Sequence, residues 1–460
     1  MKFRSMTCSG EVAVIGAGIA GLACAYELSK AGLSVQVYES ETAVGGRMST
    51  RTRDGFSFDL GANFLIRAYP NLLALGEEMG VEVRNLSPVR HVFYRGGAFH
   101  DMNFSSARDV VRMHQLKFWS KLKFLEFVVN LKLRGEKIDF FDLSETPDEM
   151  NQKDAYTCAS QDIGADFADY ILDSFCSCMM FYRAKEVSEA AFLSLFRMKS
   201  DPAYDFSVLH AGGEMQELPD KLAARLQVRT SCPVLGLSRC GEGWRVATQD
   251  GEQTYPRVVL ATTAGVARKL LREGPEPHRA LVSKTRYART VNLSYRIPAH
   301  TLGKIHCYYI PYVENKVVAE FTNEALKGAD TTRDGESLVN VGLHEAAARR
   351  LWSLTDAELF AKVKAELVKI HPGLQAARPH DLQRWLEAMP KFSCGQVSRV
   401  KEFLRRHQGD GGLYLCGDYL NSPWLEGASR CGKRVARQLV NNYWPISVTA
   451  PGGDPKSDLP

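Results

Sequence analysis

The most restrictive pattern in the chain lies within its first 40 residues. An apolar run, Val12–Ile15, leads directly into Gly16-Ala-Gly18-Ile-Ala-Gly21, and Ile19–Ala31 then carry apolar residues at helical spacing until Gly32 supplies a stop. Ser34–Tyr38 reads as the next strand, so the segment predicts a β-α-β unit. In such a unit Gly16 permits a tight turn, Gly18 lets backbone approach a pyrophosphate, and Gly21 lets helix and strand pack closely. Glycine turns between strand and helix also occur for structural reasons alone. Here Glu39 ends the second strand 18 residues after Gly21, placed to accept both hydroxyls of a ribose, which favours a dinucleotide site.

The fingerprint serves NAD and FAD equally. Just past Glu39, Ala43-Val44-Gly45-Gly46-Arg47 adds a second glycine pair and a cation, both useful beside a pyrophosphate, although a surface turn would read the same in isolation.

At 460 residues the chain exceeds what one hydrophobic core supports, so two domains are expected. Its 45% hydrophobic and 24% charged residues exclude a disordered or coiled-coil chain. A net charge of +5, spread without a long basic run, implies no nucleic-acid partner. No apolar stretch approaches the roughly 18–20 residues of a membrane span, and no apolar signal region precedes the first strand. The 11 cysteines form no CxxC, which predicts reduced thiols in a cytoplasmic protein rather than a disulfide framework or a zinc site.

Beyond Leu75 the pattern turns helical, notably over Leu116–Leu133 and Asp166–Met180. From His210 a turn and a helix precede strand candidates at Val234–Leu237, Trp244–Thr248 and Val258–Thr262. Residues 290–345 read as strand-rich, 355–370 as helical, and 412–445 repeat the opening strand, glycine turn and helix.

Three stretches, GAGIAGLACAYELSKAGLSVQVYESETAVGGRMST, GFSFDLGANF and GLYLCGDYLNSPWLEGASRCGKRVARQL, together resemble the FAD-dependent amine oxidase superfamily, which includes monoamine oxidases, protoporphyrinogen oxidases and phytoene-type desaturases. The likeness is strong over about residues 11–68 and 411–440 and holds only in pattern between them. It implies an α/β fold: a Rossmann-like FAD-binding domain assembled from residues 1–90, 205–285 and 405–448, with an inserted α+β substrate domain over 91–204 and 286–404; separately, the polar, Pro- and Gly-rich composition predicts a disordered tail at 449–460. Gly16, Gly18, Gly21, Glu39, Gly45, Gly46, Arg47, Gly61, Ala62, Asn63 and Val234 are expected at the cofactor, joined by Gly417, Asp418, Gly427 and Ala428 from the far end. The helix opened by Gly427 and Ala428 would place its N–H groups at the flavin's O2 side, stabilising negative charge on reduced flavin. FAD is expected to be non-covalent, since Cys394, nearest in the chain to the family's attachment cysteine, is poorly placed.

Amine oxidases of the superfamily carry a lysine near flavin N5, and the matching strand Ala288–Tyr295 has Asn292 there. That favours the porphyrinogen-oxidase and desaturase branch. Trp424 either faces the flavin as one aromatic of a substrate cage or packs its own loop. His210 reads as a turn or cap residue. The Leu116–Leu133 helix, with Lys117, Lys121 and Lys123 among its aromatics, suits either peripheral membrane contact or packing on the substrate cavity with lysines outward. The expected reaction is dehydrogenation of a hydrophobic small molecule of porphyrinogen, polyene or polycyclic type by hydride transfer to flavin N5, with oxygen or a quinone as acceptor, in a monomer or homodimer. Amine or amino-acid oxidation is the alternative, and an inactive flavin-binding module a third reading.

Overall fold

The computed structural model describes residues 11–102, 107–113, 116–133, 139–199, 205–328 and 331–443; the expected tail at 449–460 lies outside them. Its first sheet has five parallel strands in the order 227–229, 35–38, 12–15, 257–260, 413–415. The central strand Val12–Ile15 is buried throughout, as a short apolar run covered on both faces must be. Helix Ile19–Lys30 follows it, and helix Leu425–Tyr443 packs alongside; an added Cβ on Gly432 of the latter would strike the Ala20 carbonyl and come within 3.0 Å of Cys24 N.

The second sheet runs 378–390, 287–298, 336–343, 318–323, 305–309, 90–95, 98–101, with 332–333 paired to one side. Strand periodicity splits its residues cleanly. Val291, Leu293, Tyr295, Phe321, Val339 and Val341 pack on one face with Leu359, Val363 and Leu367 of helix Asp356–Ile370, forming a separate core. The opposite face turns toward the interior of the molecule and carries Asn292, Ser294, Cys307, Glu320, Thr322 and Asn340.

Three expectations shift. The strand expected at Val234–Leu237 runs instead over Gly236–Cys240, entered by Leu235 N donating to Ala247 O at 2.8 Å, and Val234 is left in the preceding loop. The helix expected over Asp166–Met180 runs from Ala165 to Met179 with a wider π-type turn at Ala168–Leu172. His210 is neither turn nor cap: it sits in strand Val208–Ala211, between strands Leu65–Ile66 and Val83–Asn85. Its Nε2 lies 3.2 Å from Asp59 Oδ2.

Helix Phe118–Leu133 buries Phe124 against Phe167 and stacks the half-buried Phe127 on Phe192. Outward it shows Phe118, Trp119, Leu122, Val129 and Leu133, Trp119 being 72% exposed. It supplies no wall of the interior cavity. Among the described residues no helix is long and apolar enough to cross a membrane. The ten described cysteines are unpaired, and all but half-buried Cys240 and exposed Cys394 are buried.

Candidate active site

The first glycine loop is built as its spacing predicts. Gly16 holds φ +106°, and a Cβ there would lie 2.8 Å from the Ala261 carbonyl oxygen. Gly18 faces open space. Gly21 is one layer behind: a side chain would collide with the Gly16 carbonyl, so this glycine sets how closely helix meets strand. The second loop lies against the first, Gly45 N donating to Ala17 O at 2.9 Å, with Gly18 and Gly45 paired as an isolated parallel bridge. Glu39, 9% exposed, accepts from Ala17 N at 2.7 Å and from Glu41 N at 3.0 Å, which holds its carboxylate at the cavity wall.

Arg47 joins the two ends of the chain. Its Nη1 donates to Asp418 Oδ2 at 2.7 Å and to Ala388 O at 2.7 Å. Burial alone would lower the Arg47 pKa, but the Asp418 carboxylate together with Tyr287 and Glu387 outweighs it and the pKa is raised. Gly61 passes over the Arg47 carbonyl, where a Cβ would clash, and Ala62 N donates to that oxygen at 2.8 Å. At the head of helix Leu425–Tyr443, fully buried Glu426 accepts from Asn71 N and Leu72 N, the free N–H groups in the first turn of helix Pro70–Glu78, and so ties the two helix starts together. Gly427 packs on Ser422 rather than facing the cavity, and Ala428 faces it.

These segments enclose one cavity of about 890 Å³. Gly16, Gly18, Glu39, Gly45, Gly46, Arg47, Gly61, Ala62, Asn63, Val234, Gly417, Asp418 and Ala428 line it, as do Asn292 and Trp424. Gly21 and Gly427 stand behind the lining. A flavin dinucleotide fits this set of residues. Two adjoining glycine loops leave room for a pyrophosphate, the buried Glu39 carboxylate stands beside them, and buried Asp418 keeps Oδ1 without a partner.

The remainder of the cavity divides in character. Phe140, Phe175, Met179, Phe181, Leu195 and Phe206 form apolar walls, and Trp424 lines the cavity while meeting Phe140 edge-on at 5.5 Å. Its floor is the polar face of the second sheet. Asn292 Nδ2 and Trp385 Nε1 both donate to Leu60 O, at 2.9 and 2.7 Å. Two strands further on lies Glu320, whose Oε2 accepts from Cys178 Sγ at 2.5 Å and Cys307 Sγ at 3.7 Å. Burial raises the Glu320 pKa to about 7. None of Glu320, Cys178, Cys307, His306 and Asn340 was expected at the site from the sequence; the one available signal was the alternation Val-Ala-Glu-Phe-Thr-Asn over 318–323.

The family model for flavin containing amine oxidoreductase matches residues 19–440, and the chain belongs to that family. Protoporphyrinogen oxidase 2, chloroplastic/mitochondrial, of Arabidopsis thaliana is 29% identical over 169 residues, 36% of this chain and 31% of that one. Amine oxidase [flavin-containing] B of Rattus norvegicus is 24% identical over 483 residues, covering 94% of this chain and 86% of its own length. In fold, cyclohexylamine oxidase from Brevibacterium oxydans IH-35A aligns with a TM-score of 0.74 at 18% identity, over 94% of this chain and 99% of that one. The protein is an FAD-dependent oxidoreductase that acts on a small molecule.

Cys394 is exposed and does not line the cavity, so it is not placed to carry the cofactor. Acid precipitation of the purified yellow protein should release FAD into the supernatant; flavin retained on the denatured chain would overturn this.

Proposed function

We propose that the chain dehydrogenates a small molecule with an apolar, ring-bearing or polyene body, oxidising a C–H or C–N bond and passing the electrons on to oxygen or a quinone. The observation that carries this reading is the aromatic wall of Phe140, Phe175, Phe181, Phe206 and Trp424, which suits a wide π-rich or polycyclic surface. Bound FAD supplies the two-electron acceptor, taking up hydride at N5. The chain's own contributions are to bind, to orient and to keep the site dry. Asp418 and Arg47 hold each other at the cofactor's centre, and the start of helix Leu425–Tyr443 offers N–H groups to developing negative charge. We assign residues 1–90, 205–285 and 405–448 to the cofactor domain and 91–204 and 286–404 to the substrate domain. In support, every strand of the parallel sheet falls in the first set, and all of the second sheet except Arg90 falls in the second.

Asn292 decides between branches of the family. Its amide is committed to Leu60 O, and it brings no ammonium to the site. Asn292→Ala should therefore alter substrate affinity more than the rate at which oxygen reoxidises the reduced enzyme, and simple primary amines should reduce the flavin slowly or not at all. Stopped-flow traces of both half-reactions test this. Fast reduction by a primary amine, or a large loss of oxygen reactivity in the variant, would assign the chain to amine oxidation.

A further inference from the structure

Asn292, Gly342 and Glu320 stand side by side on three adjacent strands, Asn292 paired with Gly342 and Gly342 with Glu320. Two strand spacings put Glu320 roughly 10 Å from Asn292 across the cavity floor. Gly342 makes this possible, since a Cβ there would come within 3.0 Å of Glu320 Oε1. In the next row Asn340 is 8% exposed, lines the cavity, and has neither Nδ2 nor Oδ1 hydrogen-bonded. A buried amide without partners costs free energy that a ligand would recover.

We propose that Glu320 and Asn340 form a distal subsite that receives an N–H group of the substrate, about two strands away from the bond that is oxidised. The proposal rests on the cavity being the substrate site, as argued above, and it narrows the substrate to an amphipathic molecule with a nitrogen at its far end. An anionic end would face the Glu320 carboxylate there, with only neutral donors such as Asn340 Nδ2 to meet it. Among the described residues lining the cavity, the cations are Arg47, bound to Asp418, and Arg268 and Lys269 on helix Ala264–Leu270, which follows a strand of the parallel sheet. Nearby Lys327 is occupied by Asp59 and Glu324.

The groups facing Glu320 are Cys178 from helix Asp173–Met179, Cys307 and Tyr309 from strand Ile305–Tyr309, and Glu324 beyond its own strand. Burial, aided by the Glu324 charge and opposed by the two thiols, raises the Glu320 pKa to about 7. An alkylammonium remains protonated through this range, so its binding should strengthen as pH rises through about 7 and Glu320 ionises.

The test is binding of octylamine, octanol and octanoate to the FAD-loaded protein, read by perturbation of the flavin spectrum and by melting temperature, below and above about pH 7. Octylamine should bind the wild type roughly tenfold or more tightly than octanol, and octanoate most weakly. Glu320→Gln should erase the advantage of the amine and its pH dependence while leaving octanol unchanged. Asn340→Leu, of similar volume, serves if that variant does not fold, and should weaken octylamine alone. Equal binding of amine and alcohol overturns the subsite and leaves the cavity reading standing; no binding by any of the three overturns both. Stoichiometric zinc retained by the wild type and lost from Glu320→Gln would also overturn it, because the ligand atoms of Cys178, Cys307 and Glu320 lie within 4.8 Å of one another and would then be metal ligands.

Discussion

Glu39→Ala should yield largely colourless protein even when it is expressed with excess flavin. The carboxylate is expected to accept two charge-assisted hydrogen bonds from the adenosine ribose, each contributing about 1.5–3 kcal/mol. Together these amount to a loss of roughly 10²–10⁴ in FAD affinity. The structure adds a second cost, because the same carboxylate accepts from Ala17 N and Glu41 N and so shapes the first glycine loop. The ratio of flavin to protein absorbance, with circular dichroism to confirm folding, measures the effect; normal FAD content would remove Glu39 from the site.

Stability should be most sensitive at Lys327. Its ammonium is 3% exposed and lies 3.1 Å from Asp59 Oδ2 and 2.7 Å from Glu324 Oε2. Asp59 also holds Thr50 Oγ1 at 2.7 Å and His210 Nε2 at 3.2 Å. The cluster thereby ties the 56–59 strand, the 208–211 strand and the turn after the 318–323 strand together. Removing one member of a buried ion pair costs about 3–5 kcal/mol, since the survivor stays buried and unpaired. Lys327→Met strands two carboxylates and Asp59→Ala leaves Lys327 one partner, so Lys327→Met should show the lower thermal midpoint. The reverse order would mean that Asp59 matters mainly through Thr50 and His210. Burial pushes the Asp59 pKa up, but the Lys327 charge and the bonds from His210 and Thr50 overcome it, leaving the pKa well below the usual carboxylate range. Its contribution is therefore complete above the unfolded value of about 4 and fades as pH falls below it, a component of acid lability that Asp59→Ala should lack.

What could be read beforehand followed the reach of each interaction. The glycine loops and the first helix are specified by neighbours within 30 residues, and their chemistry showed in the spacing of Gly16, Gly18, Gly21 and Glu39. Gly417 and Asp418 were legible only through family likeness, and the reason is now visible in the Arg47–Asp418 bond, which spans 371 residues. Glu320 and Asn340 could not be placed, because their meeting depends on the register of strands 287–298, 318–323 and 336–343, which no local pattern determines. His210 was misjudged for a related cause: the glycines after it suggested a turn, whereas its strand pairs with residues more than a hundred positions earlier.

The strand order of the parallel sheet bears on how the protein is made. Strand Leu413–Leu415 pairs with 257–260, and helix Leu425–Tyr443 lies on the helix that begins at Ile19, about 400 residues upstream. During translation the nucleotide-binding half therefore stays open at one edge until helix Leu425–Tyr443 leaves the ribosome, with the apolar side of Ile19–Lys30 uncovered meanwhile. A nascent chain halted before residue 413 would carry intact glycine loops and still lack the cavity wall that Gly417, Asp418, Trp424 and Ala428 supply, so the cavity is complete only once that segment has docked.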